Sequence, residues 1–159
     1  MTKNIKILTG SAGSGKTEYV KHSLEQSSDS NFSVYSALNS YNTFKRRKFT
    51  RERIKVTECS TFIREKKTEE IIESLKKDIL ENKTIVIDEA YWIFSGNRYN
   101  LLEDLLKTES LKILFIFQSS DQIKLTAPFL IKNDYEILNY NSSIERIKSN
   151  WALDEFFNT

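Results

Sequence analysis

The chain is short of the residues that staple or bend a small protein. Its 159 residues include one cysteine (Cys59), one proline, one histidine (His22) and four glycines. A lone cysteine excludes an internal disulfide and a four-cysteine metal site, and it fits a reducing compartment. No apolar run approaches the ~20 residues of a membrane span. The opening segment, Met1 to Leu8, is too polar and too short for a signal peptide. The expectation is a soluble, cytoplasmic chain. With one proline, no low-complexity stretch and no internal repeat, residues 1–159 are expected to form one domain. Net charge is also scarce, at +2. It is unevenly placed: residues 45–67 hold ten Lys or Arg against three Glu, which leaves the rest of the chain near −5. Such asymmetry points weakly to a polyanionic partner.

Apolar material is not scarce. Hydrophobic residues make up 39% of the chain, including 10 Phe, 7 Tyr and 2 Trp, which is enough for one real core. Ile5 to Leu8, Phe32 to Ser36, Ile54 to Thr57, Thr84 to Ile87, Leu111 to Phe117 and Glu136 to Asn139 read as strands. The run from Thr84 to Ile87 has the unbroken apolar, β-branched character of a strand covered on both faces, and Leu111 to Phe117 is the most apolar strand in the chain. Helices are expected from about Lys16 to Leu24, within Thr61 to Glu81, from Asn100 to Lys107 and from Ser142 to Phe157. In the second of these, Ile71, Ile72, Leu75 and Ile79 recur at helical spacing. Trp151, Phe156 and Phe157 are read as the apolar face of the last helix. Strands alternating with helices imply an α/β fold with a parallel sheet flanked by helices.

Three of the four glycines fall in one segment, Gly10-Ser11-Ala12-Gly13-Ser14-Gly15-Lys16-Thr17. This is the full phosphate-loop pattern, with a strand before it and a helix after it. Glycine lets successive N–H groups turn inward as an anion nest, and the following helix adds its positive end. Lys16 can reach the β- and γ-phosphates of a nucleoside triphosphate, and the Thr17 hydroxyl can ligate Mg²⁺. The ligand expected is ATP with Mg²⁺. About 70 residues on, Ile85-Val86-Ile87 ends in Asp88-Glu89. An acid at that strand end holds the Mg²⁺ shell, and the adjacent Glu89 is placed to activate water as a general base.

These segments, in this order, make the chain similar to the first RecA-like domain of superfamily 1 helicases. Ile7 to Thr17 is close to that family's motif I, and Val86-Ile-Asp-Glu-Ala90 is its motif II. Val34 to Asn39 resembles motif Ia. Val56 to Phe62 resembles the segment after the third strand, where that family carries a Thr and an aromatic. Phe117 to Gln122 resembles motif III, and Ile137 to Ile144 resembles motif IV. The resemblance implies a RecA-like P-loop fold, and a γ-phosphate sensor at Gln122, with Gln118 as second choice. The departures are equally specific. Asn141 stands where motif IV supplies an arginine, Ala37 where motif Ia has an aromatic, and Gln118-Ser119 where motif III has Gly-Asp. The expectation is a single RecA-like domain, without the adenine-reading segment ahead of motif I or the second domain of that family.

The reading is therefore an ATP-binding, helicase-like NTPase, weak or partner-dependent, without autonomous unwinding. The missing arginine is expected from a protein partner or from a second copy offering Arg46, Arg47 or Arg98. A small nucleoside or nucleotide kinase and a nucleotide-gated protein-interaction module stay open as alternatives. The basic run Lys45-Arg46-Arg47-Lys48, with Arg51 and Arg53, is either a solvated face or a track for a nucleic-acid backbone. Tyr91, Trp92 and Phe94 read as packing rather than base stacking. His22 and Cys59 read as structural.

Overall fold

A computed structural model of the chain describes residues 4–27, 31–36, 54–58, 68–94, 103–108 and 111–158. The strands are β1 (Asn4–Thr9), β2 (Phe32–Ser36), β3 (Ile54–Glu58), β4 (Thr84–Ile87), β5 (Lys112–Phe117) and β6 (Glu136–Asn139). The helices are α1 (Lys16–Gln26), α2 (Thr68–Leu80), α3 (Ser120–Thr126), α4 (Pro128–Lys132) and α5 (Ser143–Asn158), with a 3₁₀ turn at Ala90–Trp92. Residues 103–105 are also helical. The six strands form one sheet in the order β3-β2-β4-β5-β1-β6, and every pair is parallel. This is the expected α/β parallel sheet flanked by helices.

Side chains alternate across each strand, so the unbroken apolar runs feed two cores at once. Ile113, Phe115 and Phe117 of β5 join Ile7, Ile85 and Ile87 beneath α2, α3 and α4, where Ile71, Leu75 and Leu130 meet them. Leu114 and Ile116 turn the other way and join Leu8, Val34 and Val86 against Val20 and Leu24 of α1 and Leu153, Phe156 and Phe157 of α5. Each such side chain, fully withdrawn from water, contributes about 1.5–3 kcal/mol before entropy is charged against it.

Two sequence expectations change here. α3 and α4 lie where no helix is expected, because they are only one to two turns long. Their signals are chemical rather than periodic: the Ser119 side chain caps α3, and Pro128 occupies the start of α4. Trp151 does not share the inward face of α5 with Phe156 and Phe157; it is 79% exposed. Leu153, Phe156 and Phe157 face the core, whereas Ile144, Ile147 and Trp151, three and four residues apart, form a stripe on the opposite side.

Between β2 and α2 lies a buried polar cluster. The Tyr35 hydroxyl donates to the Asp78 carboxylate and meets Ser74 Oγ at 2.7 Å, and Lys83 Nζ lies 3.6 Å from Asp78. It fastens β2 to α2 and to the start of β4. The Tyr35 carbonyl in turn accepts the Asp88 N–H at 2.9 Å, which fixes the backbone where the acidic pair begins.

Candidate nucleotide site

Ligands of open parallel sheets gather outside the carboxyl ends of the strands, where connections part to opposite sides. β1 is such a place, flanked by β5 on one side and β6 on the other. Beyond its end lies a cleft of about 390 Å³ lined by Ala12, Gly13, Gly15, Lys16, Thr17, Glu18, Asp88, Glu89 and Gln118, with Ile116 and Phe117 behind. That volume falls within the usual range for a small-molecule site.

The loop from Gly10 to Gly15 wraps one wall of this cleft. A Cβ on Gly10 would lie 2.9 Å from Ser14 Oγ and 2.9 Å from Tyr140 Cβ, so only glycine fits. Gly13 (φ 80°) and Gly15 (φ 91°) are left-handed, which a β-carbon disfavours. Gly15 is also the N-cap of α1 and offers no side-chain acceptor, so the first-turn amides lack a side-chain cap. The Ser14 hydroxyl is buried without a hydrogen-bond partner. An uncapped helix start, a loop closed tightly on itself and an orphaned hydroxyl are what a phosphate group would satisfy.

Lys16 is folded over the loop, and its Nζ donates to the Ser11 carbonyl at 3.3 Å. Burial pushes its pKa down, opposed by the carboxylates of Asp88 and Glu89. An ammonium held among desolvated walls binds an incoming anion more strongly than one in water. Thr17 and Asp88, 71 residues apart in sequence, are joined by the Thr17 hydroxyl donating to Asp88 Oδ2 at 3.0 Å. The other Asp88 oxygen accepts the Glu89 N–H at 2.8 Å, and Trp92 Nε1 donates to the Asp88 carbonyl at 3.0 Å. Glu89 is left-handed without being glycine (φ 50°, ψ 51°) and lines the cleft.

The hydroxyl of Thr17 and the carboxylate of Asp88 are hard oxygen donors suited to Mg²⁺, which completes its shell with substrate phosphates and water. Among the described residues no cluster of three or more His, Cys, Asp or Glu forms a metal cage. The Thr17 and Asp88 oxygens fit Mg²⁺ as part of its shell.

Asp88 is fully enclosed, and burial raises its pKa from 3.8 to about 6, against the lowering by Glu89 N–H and Thr17. The folded chain thus holds this proton more tightly than the unfolded one. The resulting cost to stability is absent below pH ~3.8, grows as pH rises to ~6, and is constant above, on the order of 3 kcal/mol. Replacing Asp88 with Asn should stabilise the nucleotide-free protein at pH 7.5 by about 1–3 kcal/mol, less the acceptor lost, while weakening Mg·ATP binding. Urea unfolding of both proteins at pH 7.5 and 4.5 checks this. The gap should narrow to about a third at the lower pH, and a variant no more stable than the parent at pH 7.5 would contradict the assignment.

The two glutamines expected as γ-phosphate sensors are placed differently. Gln118, at the end of β5, lines the cleft; Gln122 does not. Ser119 caps α3 by accepting the Gln122 N–H at 3.1 Å, and Gln122 Oε1 reaches back to accept the Gln118 N–H at 2.9 Å. The Ser119-x-x-Gln122 spacing is that of a capping box, but the Gln122 side chain takes the N–H of Gln118, one residue before the N-cap, and so holds Gln118. Trp92 and Phe94 are buried, and Phe94 packs on Phe115, Phe117 and Phe129, as the packing reading expects. His22 is exposed and tilts against Tyr19. The basic run Lys45 to Lys48, Arg51, Arg53, Cys59, Ala37 and Arg98 lie outside the described residues. Tyr140, within the motif IV likeness, packs its side chain at Gly10.

Fold and loop together define a P-loop NTPase domain of the kind that binds ATP, typically with Mg²⁺. The AAA domain family matches residues 1–123, more than three quarters of the 159 residues, and the chain belongs to that family. No curated protein is significantly similar to it in sequence. Among the described residues, no helix is long and apolar enough to cross a membrane.

Proposed function

We propose that residues 1–159 act as one ATP-hydrolysing domain of the type found first in superfamily 1 helicases, working in the cytoplasm and turning over slowly by itself. The observation that carries this reading is the cleft in which Lys16, the Thr17–Asp88 pair, Glu89 and Gln118 meet. Lys16, with N–H groups of the loop and of the first turn of α1, binds the phosphates, and Thr17 and Asp88 hold Mg²⁺. When bound, Mg²⁺ neutralises charge developing on the β- and γ-phosphoryl oxygens. Glu89 takes the proton of the attacking water, and Gln118, braced by Gln122, contacts the γ-phosphate. A carboxylate beside the Mg²⁺ acid suits water activation better than transfer to a nucleoside, which sets the kinase alternative second.

Among the described residues no arginine lines the cleft, and Asn141 occupies the position where the resembling family has one. An arginine supplied from outside is worth ~10³–10⁵ in rate in related NTPases. Hydrolysis is therefore expected to depend on a partner, or on a second copy offering Arg46, Arg47 or Arg98. The basic run Lys45 to Lys48 is the place for a nucleic-acid partner in this reading. Phosphate release per subunit, followed over a wide protein concentration series, tests it. A rate that climbs with concentration marks self-assembly, and a uniformly low rate marks a missing partner. A fast, concentration-independent rate from a monomer, or strand separation by it, would contradict the proposal. Phosphorylated nucleoside in place of free phosphate would favour the kinase reading. ATP binding without turnover under every condition would favour a nucleotide-gated interaction module.

A further inference from the structure

The turn between β6 and α5 lies beyond residues 1–123, the part matched by the AAA family, yet it is built onto the phosphate loop. Tyr140 N–H donates to the Thr9 carbonyl at 2.8 Å, which extends the β6–β1 pairing up to the loop. Asn141 then presents its side-chain oxygen to the Ser11 N–H at 3.2 Å. Its own N–H is held by Asn139 Oδ1 at 3.0 Å. Helix α5 anchors the turn from behind: the Ser149 hydroxyl donates to the Asn139 carbonyl at 2.6 Å, and the Tyr140 hydroxyl donates to Asn150 Oδ1 at 2.8 Å. Ser11 is the meeting point. Its carbonyl accepts the Ser14 N–H at 3.1 Å and Lys16 Nζ at 3.3 Å.

We propose that Asn141 is a positioning residue for phosphate binding: by holding the Ser11 N–H it fixes the Gly10–Ser11 peptide and, through Ser11, the place from which Lys16 acts. This rests on reading the loop as the triphosphate site. Gly10 has no β-carbon to restrict its rotation, so the peptide that follows it is free to turn unless an acceptor holds its N–H. A turned peptide would set the Gly10 carbonyl oxygen against the Asn141 oxygen and let Ser11, whose carbonyl holds Lys16 Nζ, shift from its place. Asparagine suits the task because its amide oxygen accepts a hydrogen bond without a negative charge. In the resembling family this position carries an arginine; here a neutral acceptor braces the loop instead.

The role predicts a loss that does not depend on the γ-phosphate or on the base. Titrate the parent and Asn141→Ala with Mg·ATP, Mg·ADP and Mg·tripolyphosphate by calorimetry, and measure the melting temperature without ligand. All three affinities should fall by a common factor of about 3–10, with melting moved by no more than about 2 °C. In the nucleotide-free protein the Ser11 amide should exchange with solvent faster in Asn141→Ala and stay protected in Asn141→Asp, which keeps the acceptor. A loss confined to Mg·ATP would show Asn141 touching the γ-phosphate and overturn the inference. Unchanged affinities, or a loss matched by a general fall in melting temperature, would overturn it as well. A parent protein that binds none of the three probes would overturn the reading of the site, and this inference with it.

Discussion

Glu89→Gln is expected to lower the rate of ATP hydrolysis by roughly 10²–10⁴ while Mg·ATP affinity changes by less than about threefold. The substitution keeps size and hydrogen-bonding capacity and removes only the base. Glu89 lines the cleft from a left-handed backbone position, and its N–H is already used on Asp88 Oδ1. That bond is made by the backbone, so it survives the change and the Asp88 carboxylate stays where it is. Single-turnover hydrolysis, with binding measured separately, distinguishes the roles. Equal losses in affinity and rate would make Glu89 a metal-shell or structural residue, and an unchanged rate would remove it from the chemistry.

The parts of the fold and site legible in the sequence are those whose physics is local. Thr84-Ile-Val-Ile had to be a strand covered on both faces and the run ending at Phe117 a strongly apolar one, and they are. The phosphate loop is legible because three glycines, a lysine and a threonine are each needed at fixed offsets. What local pattern cannot supply is strand order. β5 lies between β4 and β1, and that placement brings Gln118 into the cleft with Lys16 and Glu89. The choice of Gln122 over Gln118 followed a motif likeness, whereas the capping chemistry of Ser119 and Gln122 decided the geometry. Trp151 was grouped with Phe156 and Phe157 by apolarity alone, although helical spacing separates 151 from that face. The bond from Asn141 to Ser11 spans 130 residues and has no sequence signature at all.

The second large effect concerns Lys16. Its ammonium is bonded to the Ser11 carbonyl of the loop and is close enough to Asp88 and Glu89 to feel both carboxylates. Its burial disfavours the charge in the absence of an anion, so truncation should leave the empty fold intact. A phosphate would restore to that ammonium the charge-assisted hydrogen bonding it lost to burial, a contribution of about 1.5–3 kcal/mol per bond. The central claim, that a triphosphate binds at this loop, is tested most directly by titrating Mg·ATP into the parent protein and Lys16→Ala in a calorimeter, with melting of both measured without ligand. The account predicts one site per chain in the parent, an affinity lower by about 30-fold or more in the variant, and melting temperatures that agree. Equal affinity in the two proteins would contradict it.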